Sequence, residues 1–438
     1  MKLQIEKQVY GGAGLAHEHV GDDAGNAVFV PFTLNGEMVE AELTGEKSDY
    51  AEAALVEVIA ASTERVAPGC AHFGTCGGCH YQHATYAAQV EIKTQVLRET
   101  LERAGLVDLP AIEAHTSEAW GYRNRIRLRI AEVDGELRMG YSRPQSAEFL
   151  PVRECPIATP VLWRAAEALL AIAAKNTTAL AWLRTAVEVE FFAAADESCL
   201  MMTLFVRKER AAGFKELCEA LHTELPELVG AGVAILTEHG GQRSRRNERP
   251  KAGAAWGAAG LSYEAAGRRY WVSRGGFFQV NRTLVEELVR IVTTGRSGSL
   301  AWDLYAGVGL FSRALAESFA RVIAVEGGET AARDLAAGLK GQRTVWASTV
   351  EFLRSAVIQR ERPELVVMDP PRAGVGAEVV ALLARVKTQE MVYVSCDPVT
   401  LSRDLRGMVD SGYRISEVHL VDLFPQTFHI ETVVVLRR

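Results

Sequence analysis

Four short strings near the end of the chain carry residue types that could work together as one site. They are Asp303-Leu-Tyr-Ala-Gly-Val-Gly309, Asp369-Pro-Pro-Arg372, Val394-Ser-Cys396-Asp-Pro398 and His429-Ile-Glu431. The first ends an apolar run with glycines, which let backbone approach a ligand at a strand-to-helix turn. Glu326 follows at the end of the next apolar run, where an acidic side chain can accept two ribose hydroxyls. The pyrophosphate pattern Gly-x-Gly-x-x-Gly is broken by Ser312, so a cofactor without phosphates, such as S-adenosylmethionine, fits better than a dinucleotide. Asp369 sits in a loop stiffened by two prolines. Cys396 offers a thiol nucleophile where a strand gives way to a loop. Such a thiol needs its pKa lowered, and Arg372 and Arg403 are the candidate cations. Glu431 offers a carboxylate base at the mouth of a core strand, with His429 on the same face if that segment is extended. The chemistry suggested is methyl transfer with covalent attack on the substrate.

A second constellation lies far upstream. Cys70, Cys76 and Cys79, with Cys155 in Arg-Glu-Cys155-Pro, supply four soft ligands. Four thiolates suit an iron–sulfur cluster or zinc, and the trailing Cys-Pro leans toward iron–sulfur. Cys199 and Cys218 lack such company and read as core residues.

The elements that must position these groups follow from pattern. Residues 1–62 read as a small five-stranded β-barrel of the oligonucleotide-binding type, with strand-like runs at Val28–Val30 and Val39–Leu43. Residues 63–280 read as a central α+β domain, with helices over Ala87–Ala104, Leu162–Ala174 and Gly213–Leu221. Residues 281–438 alternate apolar strands with helices, opening on an amphipathic helix through Leu284, Leu288 and Val292. That alternation predicts a mainly parallel, doubly wound α/β sheet, with a helix over Leu310–Phe319 and a closing hairpin of Val418–Leu423 and Thr432–Leu436. Tyr122-Arg123-Asn-Arg125-Ile-Arg127 alternates basic residues, placing three arginines on one strand face as an RNA-backbone contact. Phe277 is a candidate stacking platform for a base, and the basic run 242–251 reads as a solvated loop.

Composition sets limits. The 438 residues are too many for one core. With 48% hydrophobic and 24% charged residues the chain is of ordinary globular type. A net charge of −7 argues against a uniformly basic nucleic-acid binder but leaves room for a local basic groove. Seven cysteines without a secretion pattern favour metal or catalytic roles over disulfides. No apolar run approaches a membrane span and no signal peptide is read, so a cytoplasmic monomer without membrane attachment is expected.

With these residues assembled, the chain resembles the RNA uracil-5-methyltransferase family throughout its length. The nearest likeness is to members that carry an N-terminal TRAM barrel and a 4Fe-4S cluster and act on 23S ribosomal RNA. Gly276-Phe-Phe-Gln279-Val-Asn281, Phe424-Pro-Gln-Thr427 and His429-x-Glu431-Thr join the strings above in carrying it. The resemblance implies a Rossmann-like methyltransferase domain, with Gln279, Tyr305, Gly307, Glu326 and Asp369 around S-adenosylmethionine. It implies Cys396 as nucleophile, Glu431 as base, and Cys70, Cys76, Cys79 and Cys155 as ligands of the 4Fe-4S cluster. Three positions depart from the family pattern. Leu310 stands where Asn is usual, Ala306 where Cys is common, and Ser348 is the nearest match to a polar cofactor contact after Thr344.

Rival readings are weighed on the same residues. An RNA cytosine-5-methyltransferase should show Pro or Thr before its nucleophile, where Ser395 stands. Amino-group methyltransferases place an aromatic residue where Arg372 stands and need no thiol. A catalytically silent RNA-binding or assembly factor would not need Cys396 and Glu431 intact. The target RNA stays open between ribosomal RNA and the transfer-RNA T-loop.

Overall fold

The computed structural model describes residues 1–20, 23–208, 212–236 and 250–438. The basic run 242–251 lies outside the described residues except for Pro250 and Lys251.

Residues 1–60 form a six-stranded sheet, one strand more than the sequence pattern suggests, because Lys2–Gln4 and Lys7–Gln8 both pair. Strands Asp23–Pro31, Met38–Glu46 and Tyr50–Ala60 alternate buried and exposed residues. Their inward set, with Leu3, Ile5, Ala16, Val28, Val30, Val39, Ala41, Ala51 and Ala53, makes one small core.

The central part is a seven-stranded sheet backed by helices Pro160–Lys175, Thr177–Thr185 and Phe214–Glu224. Pro160 at the first helical turn and Asn176, whose side chain accepts from the N–H groups of Thr178 and Ala179, set helix starts. Cys218 is fully buried here, and Cys199 packs against the neighbouring core.

The C-terminal part is an eight-stranded sheet. Its order is Arg343–Trp346, Phe319–Glu326, Gly298–Leu304, Leu365–Met368, Glu390–Ser395, Glu431–Arg437, Arg414–Val421 and Ile112–His115. The first five run parallel. The order reverses beside Gly298–Leu304, and the crevice at that switch point is where such sheets take ligands. The expected helix after the glycine turn is shorter, Leu310–Leu315, because Phe319 already begins the next strand. The closing hairpin forms, but its second arm, Glu431–Arg437, inserts between Glu390–Ser395 and Arg414–Val421 rather than ending the sheet. The edge is instead taken by Ile112–His115, which pairs in parallel with Arg414–Val421. Helix Tyr86–Arg103 also packs into the core of this sheet. The layers therefore cross the division at residue 280.

Candidate active site

Register brings Cys396 and Glu431 together. Glu390–Ser395 and Glu431–Arg437 are antiparallel neighbours with Ser395 opposite Thr432. The residue after one strand and the first residue of the other therefore meet at the same sheet edge. Leu365–Met368 delivers Asp369 to that edge, and Gly298–Leu304 delivers Tyr305. The Cys396 loop is fixed by its own helix start. Asp397 accepts from the N–H groups of Val399 and Thr400, and Pro398 opens helix Pro398–Asp410.

The electrostatics of the edge are strained. Asp303 is fully buried. One of its carboxylate oxygens accepts from the Ser312 hydroxyl and the other, Oδ1, has no partner. Burial pushes its carboxyl up to about 7. Asp369 is likewise pushed up to about 7 by desolvation, then by the Asp303 charge. Glu431, 4% exposed, is driven well above the usual carboxylate range by burial and by Asp369, while Arg372 pulls it down. Cys396 is pushed up to about 12 by burial and by Glu431, again against the pull of Arg372. The lowered thiol expected from sequence is therefore not found, because desolvation outweighs the neighbouring cation. That cation is Arg372. Arg403 instead pairs with Asp404 at 2.8 Å and donates to the Ala373 carbonyl.

His429 does not share a strand with Glu431, since the strand begins at Glu431. It lies in the preceding loop with its Nδ1 3.3 Å from Arg372 Nη2. Burial and the Arg372 charge press its pKa down to about 3. A neutral imidazole there is an acceptor that orients the guanidinium.

The residues expected to hold a cofactor gather beside the same edge. Tyr305, Gly307 and Gly309 all have positive φ, at 63°, 56° and 90°. At φ 90° Gly309 adopts a backbone conformation that side-chain-bearing residues rarely take, so glycine lets this turn form. Glu326 accepts from the Gly307 N–H at 2.9 Å and the Gly328 N–H at 2.5 Å. Gln279 is buried, with its Nε2 3.5 Å from Asp369 Oδ2. Ser348 is placed differently. Its hydroxyl is engaged in a capping box with Glu351 at the start of helix Thr349–Gln359. The edge thus offers buried carboxylates, one with an unpartnered oxygen. Such acceptors suit a ligand that brings positive charge and hydrogen-bond donors, and S-adenosylmethionine has both.

Two residues at this edge were missed from sequence. Tyr10, in the N-terminal sheet region, reaches Asp397 Oδ2 with its hydroxyl at 3.3 Å and packs edge-on against Phe428. Trp346, 66% exposed, stands in register beside Glu326 and offers a flat apolar face. The signal for Trp346 is a large aromatic at the mouth of a short strand. Nothing local marks Tyr10, which is 387 residues from its partner.

The upstream cysteines also converge. Cys155 acts electrostatically on Cys70, Cys76 and Cys79, and Tyr141 donates to Cys155 Sγ at 3.4 Å. Burial raises all four thiols. Four thiols gathered in this way suit an iron–sulfur cluster or zinc. The segment after Cys79 braces the loop before Glu431. The N–H groups of His80 and Tyr81 donate to the Gln426 carbonyl at 2.8 and 3.0 Å, and Tyr122 donates to the Pro425 carbonyl. From the other side, buried Lys93 pairs with Asp422 at 2.6 Å and Gln89 bonds Gln426 twice.

The expected RNA contacts are less open. Arg123 donates to the Arg125 carbonyl. Arg125 pairs with Glu190 at 3.2 Å and stacks over Phe192, and Arg127 pairs with Glu188 and stacks over Phe205. Phe277 is 66% exposed.

Known proteins resemble the whole chain. The family model described as tRNA (Uracil-5-)-methyltransferase matches residues 85–357 and 331–438. An uncharacterized RNA methyltransferase of Aquifex aeolicus is 31% identical, covering 100% of this chain and 98% of its own length. A 23S rRNA (uracil(1939)-C(5))-methyltransferase of Chromohalobacter salexigens is also 31% identical, over 100% of this chain and 89% of its own. Among solved structures, a tRNA (uracil-54, C5)-methyltransferase of Pyrococcus abyssi in complex with S-adenosyl-L-homocysteine shares the fold. Its TM-score is 0.75 at 22% identity, covering 100% of both chains.

Proposed function

The chain belongs to the tRNA (uracil-5-)-methyltransferase family, and from that membership we propose that it methylates carbon 5 of a specific uridine in 23S ribosomal RNA in the cytoplasm, acting as a monomer. The observation that carries the reading is the meeting of Cys396 and Glu431 at the edge that also holds Asp303 and Asp369. The ribosomal target is favoured by the full-length likeness to the Chromohalobacter enzyme at 31% identity, against 22% for the Pyrococcus transfer-RNA enzyme.

Carbon 5 of uracil is too weak a nucleophile to take a methyl group unaided. In this reading the Cys396 thiolate adds to carbon 6 and puts electron density on carbon 5. Arg372, the cation acting on both groups, favours the thiolate. Asp303, Asp369, Gln279, Tyr305, Gly307 and Glu326 would hold S-adenosylmethionine. When bound, that cofactor supplies an electrophilic methyl group. Asp369 and Asp303 orient its charged end, and the burial of the edge excludes water. After transfer, carbon 5 carries both hydrogen and methyl. Glu431 takes the hydrogen as a proton, the carbon 5–carbon 6 double bond re-forms, and Cys396 leaves with the electron pair of the carbon–sulfur bond.

Cys70, Cys76, Cys79 and Cys155 would hold a 4Fe-4S cluster, whose iron atoms, taking the four thiolates as ligands, would tie the Cys70–Cys79 segment to Cys155. The TRAM-like barrel and the central domain bring a large structured RNA. Phe277 stacks against the unstacked target region, whereas Arg125 and Arg127, each already paired with a glutamate, serve the sheet rather than the RNA.

Mass-spectrometric mapping of 5-methyluridine in RNA from a deletion strain tests the assignment. Loss of one 5-methyluridine from 23S ribosomal RNA, with the transfer-RNA T-loop unchanged, is expected. Loss in the T-loop alone would move the target to transfer RNA, and no loss would overturn the proposal.

A further inference from the structure

The edge strand Ile112–His115 and its neighbour Arg414–Val421 bring two histidines together that the methyl-transfer site does not use. In their parallel register Glu113 stands opposite His419 and His115 opposite Val421. His115 Nε2 lies 3.1 Å from His419 Nδ1, although the residues are 304 apart in sequence.

The outer nitrogens of both rings face carboxylates. His115 Nδ1 is 2.7 Å from Glu287 Oε1, and His419 Nε2 is 3.5 Å from Glu417 Oε2. Those carboxylates are themselves pinned, Glu287 by Arg290 at 2.6 Å and Glu417 by Arg437 at 2.9 Å. A carboxylate acceptor keeps the imidazole proton on the nitrogen that faces it. Both inner nitrogens are then left presenting lone pairs to each other, which repel at this distance unless a positive centre lies between them. Glu113 brings a third ligand to the same point. Its Oε1 is 3.8 Å from His115 Nε2 and its Oε2 is 3.5 Å from His419 Nδ1. Among the described residues this is the one set of three or more His, Cys, Asp and Glu whose ligand atoms all lie within 4.8 Å of one another.

We propose that Glu113, His115 and His419 form a site for a divalent cation of the zinc type, which clips the edge strand Ile112–His115 to the C-terminal hairpin. Tetrahedral zinc with Zn–N near 2.0–2.1 Å separates two imidazole nitrogens by about 3.3 Å, close to the observed gap. A carboxylate behind each ligating histidine is the arrangement that fixes ring orientation at metal centres. His419 and Glu113 also line a cavity of about 320 Å³, which gives the ion an entry path and leaves a fourth position for water. Two nitrogens and one carboxylate oxygen suit zinc or cobalt better than calcium or magnesium.

The site shares no ligand with the four-cysteine set, so the two are separable. The full chain, with its cysteine-held group in place, is stripped with a mild chelator and titrated with Co²⁺. Uptake of one equivalent is expected, with visible d–d bands and no thiolate charge-transfer band. Glu113 is exposed, so Glu113→Ala leaves folding intact. It should weaken Co²⁺ binding about tenfold or more. His419→Gln should abolish uptake, and zinc should raise the thermal midpoint of the unaltered chain but not of this variant. Absence of uptake by the unaltered chain, or equal uptake by Glu113→Ala, would overturn the proposal and leave a shared proton as the bridge.

Discussion

Two rows of charge in this molecule have opposite fates. On the seven-stranded sheet, Arg125 and Arg127 point to one face, and each finds a glutamate and an aromatic plane. At the carboxyl edge of the eight-stranded sheet, Asp303, Asp369, Glu431 and Cys396 are pressed together with only Arg372 to offset them. A buried charge without compensation costs several kcal/mol. The fold removes that cost on one sheet and leaves it standing on the other. Unrelieved strain of this kind marks a place prepared for a ligand, whereas a row of satisfied charges is architecture.

The comparison is broken most decisively at the thiol. Cys396→Ala should lower 5-methyluridine formation about 10⁴-fold or more and form no covalent RNA adduct. Next comes Arg372. Since it pulls the thiol downward against burial, Arg372→Ala should raise the thiol pKa further. The rising limb of the single-turnover rate against pH should move to higher pH, and Arg372→Lys should restore part of it. An unshifted profile would remove Arg372 from the account.

The carboxylates give a smaller effect with a definite sign. Burial holds Asp303 and Asp369 up near 7, so they keep protons below that pH. A cationic cofactor favours their ionised forms. Affinity for S-adenosylmethionine should therefore rise from pH 6 to 8 and level off above, with proton release on binding seen by calorimetry in two buffers. The same shift means that these two groups stabilise the folded chain at low pH and lose that contribution as pH rises from about 4 through about 7. The smallest effect separates an exposed aromatic from a satisfied arginine. Phe277→Ala should weaken RNA binding about 5- to 100-fold, the worth of a lost stacking contact. Arg127→Ala, at a site already paired with Glu188, should change it less than about threefold. Equal losses would show that the paired arginines are an RNA surface after all.

Much of the C-terminal sheet was legible because each strand there is a short apolar run ended by a chemically odd residue. Asp303, Asp369 and Cys396 each follow such a run, and one parallel sheet puts all those ends on one edge. What stayed hidden depends on contacts across hundreds of residues. The strand Ile112–His115 carries no sign that it will pair with Arg414–Val421, and Lys93 none that it will be buried against Asp422. Tyr10 looks like any turn aromatic until the N-terminal sheet is placed against the Cys396 loop. At Ser348, polarity alone does not separate a ligand contact from the helix cap its hydroxyl makes. The thiol pKa is hidden for a related reason, since neighbouring arginines can be counted in sequence but desolvation cannot.

The central claim is that Cys396 and Glu431 act in successive steps on one covalent intermediate. Glu431→Gln, incubated with S-adenosylmethionine and substrate RNA, tests it on a denaturing gel. The account predicts a slower, protease-sensitive RNA band that accumulates and carries the transferred methyl group. Normal turnover by Glu431→Gln with no such band would contradict it.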